Sequence, residues 1–446
     1  MLLRNRNDLE GGEEGDWKGL ESHVGELKGD VKKWEEIFLQ ARAGVEFTKA
    51  GAERIEEAIR WLCVLSTNAF RITLPDNTPV GLCFSPTLAR ANHSCTPNAF
   101  IVFDSRTVSL RALRPIGKDE QIFISYIDPT KDISLRTSRL KQRYFFTCKC
   151  VRCESNENSY EIFLRCRKEG EGRGEDAKRM EVLCLQHDLV KTAERCQAFL
   201  TQNPALLSAT NSSKTLSLLK QSRETNQPDQ QTRLSHLLSA TKSLSPITSN
   251  KILALPPYPD IIHEIYLSYI DAQAFTPALI TLLFLFINCD VFIYPQPHHP
   301  VRVVRLYTIA KLFKHIASLT STEILQDISS IQTAATASTA STSDLRVKED
   351  IAKTIQGIDL INAFHMVIIL AWSEAKKSHG EESAFMQEVE AEIREVEEVQ
   401  RLRGPAGERL RRWMGDVENL EGTREAERVG GGLRVLAGLM GGILGW

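Results

Sequence analysis

Cys148, Cys150 and Cys153 place three thiols within six residues, in the stretch FFTCKCVRC. Thiolates that close repel one another unless a cation stands between them, and Zn²⁺ takes four such ligands in a tetrahedron. The triplet therefore points to a structural zinc site that still needs one ligand. Ordinary buried cysteines behave as small hydrophobes and do not cluster as C-x-C-x-x-C, so the metal reading prevails. Upstream, Asn92-His93-Ser94-Cys95 packs an amide, an imidazole, a hydroxyl and a thiol into four consecutive positions. Cys95 ends that stretch and is the natural fourth ligand; on spacing alone, Cys166 competes with it. Cys63, Cys83, Cys166, Cys184, Cys196 and Cys289 otherwise read as isolated buried thiols.

Several elements must position these residues. Trp17, Leu20, Val24, Leu27, Val31, Trp34 and Phe38 recur at spacings of three and four, which predicts one face of a long amphipathic helix. Ile55, Ile59, Leu62 and Cys63 predict a second. From about residue 70 the texture changes to short apolar runs punctuated by Pro, Gly, Asn and Asp, which favours strands and turns. Residues 99–103, a turn at Asp104-Ser105-Arg106, then Val108, Leu110 and Ala112 in alternation predict a hairpin. Ile122, Ile124 and Tyr126 alternate again behind a turn at Gly117-Lys118-Asp119.

Past Cys153 the chain reads as helical. Stripes at 261–270, 304–319, 358–373 and 382–403 predict helices, with flexible loops at about 201–250 and 327–345 where Ser, Thr, Asn and Gln accumulate. The division predicted is 1–64 amphipathic helices, 65–130 β-rich unit, 131–155 zinc segment, 156–425 helical domain and 426–446 a glycine-rich apolar tail.

Composition narrows the function classes. The 446 residues carry a formal net charge of −2, with 42% hydrophobic and 25% charged residues. Such a chain has no bulk charge with which to bind nucleic acid or an anionic membrane. The most apolar run, residues 272–289, is uncharged but only 18 residues long and interrupted by Gln, Thr, Pro and Asn. It reads as a buried helix rather than a membrane span, which usually needs about 20 apolar residues. The N-terminus carries no secretory apolar region, so the ten cysteines are expected in a reducing compartment, nucleus or cytoplasm.

The motifs together resemble a known family. Asn92-His93-Ser94-Cys95-Thr96-Pro97-Asn98, then ISYID (124–128), then RYFFTCKCVRC (143–153), are similar to the C-terminal half of a SET domain and its post-SET zinc segment. The form of the cysteine triplet and the helical region behind it resemble the SET-and-MYND subfamily of protein-lysine methyltransferases. The resemblance implies an α+β fold, with a β-rich SET half and zinc-bound post-SET segment followed by a tetratricopeptide-like helical domain. It implies that Asn92 and His93 contact S-adenosylmethionine, His93 mainly through its backbone, and that Asn68 in TNAF also touches this cofactor. Phe146 would stack on adenine, Tyr144 would line the lysine channel, and Tyr126 would be the active-site tyrosine. Cys95 would join Cys148, Cys150 and Cys153 on zinc, which decides against Cys166.

That family begins with a strand and a G-x-G turn, followed by a zinc-binding MYND module, and neither is found in this sequence. The chain is thus expected to start late in the family pattern, with one half of the cofactor pocket and its own catalysis in question. Two functions follow. The first is a lysine methyltransferase acting on a histone tail or another protein, expected as a monomer without membrane or sequence-specific nucleic-acid binding. The alternative is a non-catalytic, zinc-stabilised scaffold that holds a protein partner through its helices.

Overall fold

A computed structural model describes residues 19–73, 79–104, 107–168, 179–184, 186–206, 213–223, 230–332 and 342–445. The chain divides into two compact units, residues 1–156 and 157–446.

The first unit opens with helices Val24–Lys28 and Val31–Thr48. One continuous helix is expected from the stripe that ends at Phe38, but the helix breaks between them. Asp30 accepts a hydrogen bond from Lys33 N at 3.3 Å and so starts a new helix as its N-cap. Residues 1–18 of that stripe lie outside the described residues. Lys49, at φ 54°, closes the second helix, and Gly51, at φ 93°, turns the chain into helix Ile55–Asn68. Ala41, Val45 and Ala58 form the small core of this pair, with Ile55, Ile59 and Leu62 packed against it.

Among the described residues, three two-stranded sheets follow. β1 (Phe70–Thr73) pairs antiparallel with β2 (Pro79–Cys83), with Phe70 opposite Cys83. β4 (Ala99–Asp104) and β5 (Thr107–Ala112) form the expected hairpin, with Ala99 opposite Ala112; Ser105 and Arg106 of its turn lie outside the described residues. β3 (Asn92–His93) runs parallel to β6 (Phe123–Ile124), which brings the Asn-His-Ser-Cys segment beside Ser125-Tyr126. Buried Asn98 fixes this approach. Its amide donates to Gln121 O at 2.9 Å and Glu120 Oε1 at 3.1 Å, and its oxygen accepts from Phe123 N at 2.7 Å.

Helix Ile133–Tyr144 then precedes the cysteine triplet. No apolar stripe predicts it, because its buried face is Arg136 and Leu140. Asp132 caps its start, and Phe145, in the left-handed region at φ 60°, reverses the chain into the segment that carries the cysteines.

The second unit is helical throughout its described residues, around a single core that includes the expected helices Tyr258–Asp271, Pro300–Ala317, Leu360–Ser378 and Ala384–Leu402. The apolar run belongs to this core: in helix Phe275–Ile293, 83% of the residues in its apolar 18-residue window are buried, and a π-helical turn lies at Phe286–Asp290. Two expectations are corrected here. Residues 201–250 are not one flexible loop, since helices Ser213–Arg223 and Gln230–Ser243 cross them. Their hydroxyls turn inward onto the main chain, Ser222 Oγ to Leu219 O and Thr241 Oγ1 to Leu238 O, both at 2.7 Å. Residues 207–212 and 224–229 lie outside the described residues, as do 333–341 of the second expected loop. The rest of that loop is largely helical, in the ends of Ser321–Ser329 and Thr342–Gly357.

The glycine-rich tail is helical too, in Leu420–Gly438 and Met440–Leu444, with Leu433, Leu436, Met440 and Ile443 wholly buried. Glycine serves close approach here. A Cβ on Gly430 would collide with the carbonyl oxygen of Val182.

Candidate functional site

The parallel pairing of β3 with β6 is extended by Ser94 N, which donates to Ile124 O at 3.0 Å. This holds Cys95 at 1% exposure, facing the segment that follows Phe145. In that segment Cys153 N donates to Cys150 O at 2.9 Å, closing a single helical turn, Val151–Glu154.

The two segments meet at sulfur. The sulfurs of Cys95, Cys148, Cys150 and Cys153 all lie within 4.8 Å of one another, and those of Cys95 and Cys153 are 3.5 Å apart. A tetrahedral tetrathiolate with Zn–S bonds near 2.3 Å needs sulfurs about 3.8 Å apart, so the four residues fit one zinc ion. Cys166 takes no part; it is in the second unit, where Gln296 Nε2 stands 3.9 Å from its sulfur. The electrostatics agree. Hydrogen bonding from Cys95 holds Cys150 well below the usual thiol range, while the same bond and burial push the Cys95 thiol up. Four converging sulfurs, with Cys95 buried and the other three half-buried, are a place that a cation would stabilise.

His93 connects this centre to an aromatic cluster. Its Nδ1 accepts from Tyr126 N at 3.0 Å, so the proton of the neutral ring sits on Nε2, 3.4 Å from the Cys95 sulfur. Burial keeps the ring neutral, pushing it down to about 4. The rings of Tyr126 and Phe146 lie 5.3 and 5.8 Å from that of His93, and Tyr126 meets Phe146 edge-on at 6.4 Å. Tyr144 stands 4.9 Å from Tyr126, and its hydroxyl donates to Tyr126 O at 3.1 Å. The Tyr126 hydroxyl donates to Ala91 O at 2.7 Å. Burial raises both phenols, Tyr126 to about 12.

The structure thus gathers His93, Cys95, Tyr126, Tyr144, Phe146 and the cysteine triplet. Asn92 is exposed on the opposite side of its strand from His93. Asn68 stands apart in its bonding: its amide donates to Glu21 O at 3.0 Å and Val64 O at 2.9 Å, not to the aromatic cluster. Sequence reasoning missed Asn98 and the buried Arg136 and Arg152. Asn98 stands in the quoted motif and Arg152 between two of the cysteines, so position was the available signal.

Comparison with known proteins agrees with this geometry. Residues 29–127 match the SET domain family. The match takes in helices Val31–Thr48 and Ile55–Asn68 as well as the strands. The chain is 36% identical over 142 residues to SET domain and MYND-type zinc finger protein 6 of Schizosaccharomyces pombe, covering 32% of this chain and 29% of that protein. It is 33% identical over 156 residues to N-lysine methyltransferase SMYD2 of Gallus gallus, covering 34% of each. With histone-lysine N-methyltransferase SMYD3 of Homo sapiens it shares 29% over 136 residues, 30% of this chain and 32% of that one. The matches span about a third of the length of these curated relatives. Residues 29–127 thus form a SET domain, similar to those of SET-and-MYND proteins.

Proposed function

We propose that the first unit belongs to an S-adenosylmethionine-dependent protein-lysine N-methyltransferase acting on a histone or another protein, with one Zn²⁺ on Cys95, Cys148, Cys150 and Cys153. The observation that carries this reading is the ring cluster of Tyr126, Tyr144 and Phe146, joined to the cysteine centre through His93.

S-adenosylmethionine, when bound, supplies a methyl group on an electrophilic sulfonium. Asn92, His93, Phe146 and, in a lesser part, Asn68 are the residues assigned to hold it. The chain's remaining task is to present a neutral amine. A free lysine has a pKa near 10.4, so neutralising it at pH 7 costs roughly 4.6 kcal/mol. An apolar wall such as the Tyr126–Tyr144 pair lowers that cost by disfavouring the ammonium. Tyr126 donates its proton to Ala91 O, and its oxygen keeps lone pairs that can accept from an amine N–H. Its raised pKa keeps it a neutral phenol, so it orients the amine without becoming a competing base. Zinc on the flanking cysteines would hold the loop of Asn92 and the segment of Phe146 in register.

Calorimetric titration with S-adenosylmethionine, paired with transfer of labelled methyl to lysine-containing proteins, tests the reading. Binding and transfer that depends on Tyr126 support it. A zinc-loaded protein that does neither supports the alternative, a non-catalytic scaffold.

A further inference from the structure

Among the described residues of the first unit, Arg136 and Arg152 are the buried guanidinium groups, at 2% and 9% exposure. Burying a cation away from water is costly unless an anion compensates it. Neither arginine pairs with a carboxylate among the described residues, and the Nε of each has no hydrogen-bond partner. Their bonds run instead to main-chain oxygens and to the cysteine centre. Arg136 Nη1 donates to Lys131 O at 2.6 Å, while its Nη2 lies 3.8 Å from the Cys153 sulfur. Arg152 Nη1 donates to Pro129 O at 2.5 Å and reaches Cys95 O at 3.4 Å. The main-chain oxygens fix Arg136 beside the Cys153 sulfur and Arg152 against the main chain of Cys95.

Charge makes the connection. Four thiolates and one Zn²⁺ sum to two negative charges, and two guanidiniums sum to two positive ones. Helix Ile133–Tyr144 brings the first, and the turn inside the cysteine triplet brings the second. We infer that Arg136 and Arg152 are the counter-cations of the tetrathiolate zinc centre, positioning residues that offset its net negative charge. This rests on the zinc reading above and extends it to residues outside the ligand set. It also accounts for a helix whose buried face carries an arginine: the charge faces a metal centre rather than a hydrophobic core.

The test is zinc affinity of the full chain, by competition with a chromophoric chelator, for wild type, Arg136→Lys, Arg136→Met, Arg152→Lys and Arg152→Met. Each methionine variant should bind zinc about 10- to 100-fold more weakly, the range found when the outer partners of metal ligands are removed. Each lysine variant, which keeps the charge, should retain most of the affinity. A coupling measurement separates charge from packing. Cys153→His replaces a thiolate by a neutral ligand, so in that background Arg136→Met should cost several-fold less than alone. Methionine variants that bind like wild type overturn the inference. So do lysine variants that lose as much as methionine, or losses that simply multiply in the histidine background. If a methionine variant does not fold, the lysine variants decide. A wild type that holds no zinc overturns the zinc reading itself, and the inference with it.

Discussion

Cys95 and Cys153 are 58 positions apart in the chain, and their sulfurs stand 3.5 Å apart. Between them lie the β4–β5 hairpin, β6 with Tyr126, and the helix that leads to Phe146. Closing so long a loop through a metal restrains every one of these elements, because an open loop of that length has much conformational entropy to lose. Loading the protein with zinc should raise the thermal midpoint of the first unit and slow amide exchange along residues 92–153. Exchange that is unchanged by a chelator would separate the metal from the loop's stability.

Tyr126→Phe should lower methyl transfer by far more than it alters affinity for S-adenosylmethionine, since its oxygen acts on the amine. It also removes the bond to Ala91 O, at a cost to stability of about 1 kcal/mol. Turnover and calorimetric affinity measured on the same preparations check this. Equal losses in both would make Tyr126 a binding residue only.

The pH behaviour of Tyr126 has a definite sign. Burial raises its phenol to about 12, so the folded chain holds that proton more tightly than the unfolded chain, where it titrates near 10. Its stabilising contribution is complete below about pH 10 and is lost as the pH rises towards 12. Ultraviolet titration of wild type against Tyr126→Phe should show the missing phenolate signal only above pH 11.

Helices Val31–Thr48 and Ile55–Asn68, the β4–β5 hairpin and the cysteine centre are legible because each obeys a short-range rule: a period, a turn or a ligand spacing. The cofactor and lysine roles came from family motifs and not from spacing. What escaped was set by tertiary surroundings. Helix Ile133–Tyr144 buries an arginine where an amphipathic pattern requires an apolar residue. The Ser- and Thr-rich stretch near 215–243 looked like a loop, although its hydroxyls are satisfied within helices. The C-terminal glycines looked like a tail because a helix that needs close neighbours and a flexible strand share one composition.

Gly430 and Gly431 test that last point within one helix. A Cβ at Gly430 meets the Val182 main chain, whereas at Gly431 the nearest atom is the flexible end of Arg434, at 3.8 Å. Gly430→Ala should destabilise the helical unit by about 2 kcal/mol through overpacking. Gly431→Ala should be neutral or stabilise by up to about 1 kcal/mol, from the entropy glycine loses in a helix. Urea unfolding of both variants decides; equal effects would contradict the packing described.

Asn98 is the residue whose loss should be felt most widely in the first unit. Asn98→Ala leaves Phe123 N and Gln121 O without partners and frees the segment that leads to Tyr126. Leaving buried polar groups unpaired costs about 1 to 3 kcal/mol each. Amide exchange along residues 92–127 should be faster in the variant, and the thermal midpoint of the first unit should fall by several degrees. A variant as stable as wild type would remove Asn98 from its structural role.

The most direct measurement is the zinc content of the purified chain, alongside Cys95→Ser and Cys166→Ser. Wild type and Cys166→Ser should each carry one zinc per chain, because Cys166 lies in the other unit and four thiolates already complete a closed site. Cys95→Ser should lose the metal or most of its affinity. Full zinc in Cys95→Ser, with loss in Cys166→Ser, would contradict the site that joins the Asn92 loop to the Phe146 segment.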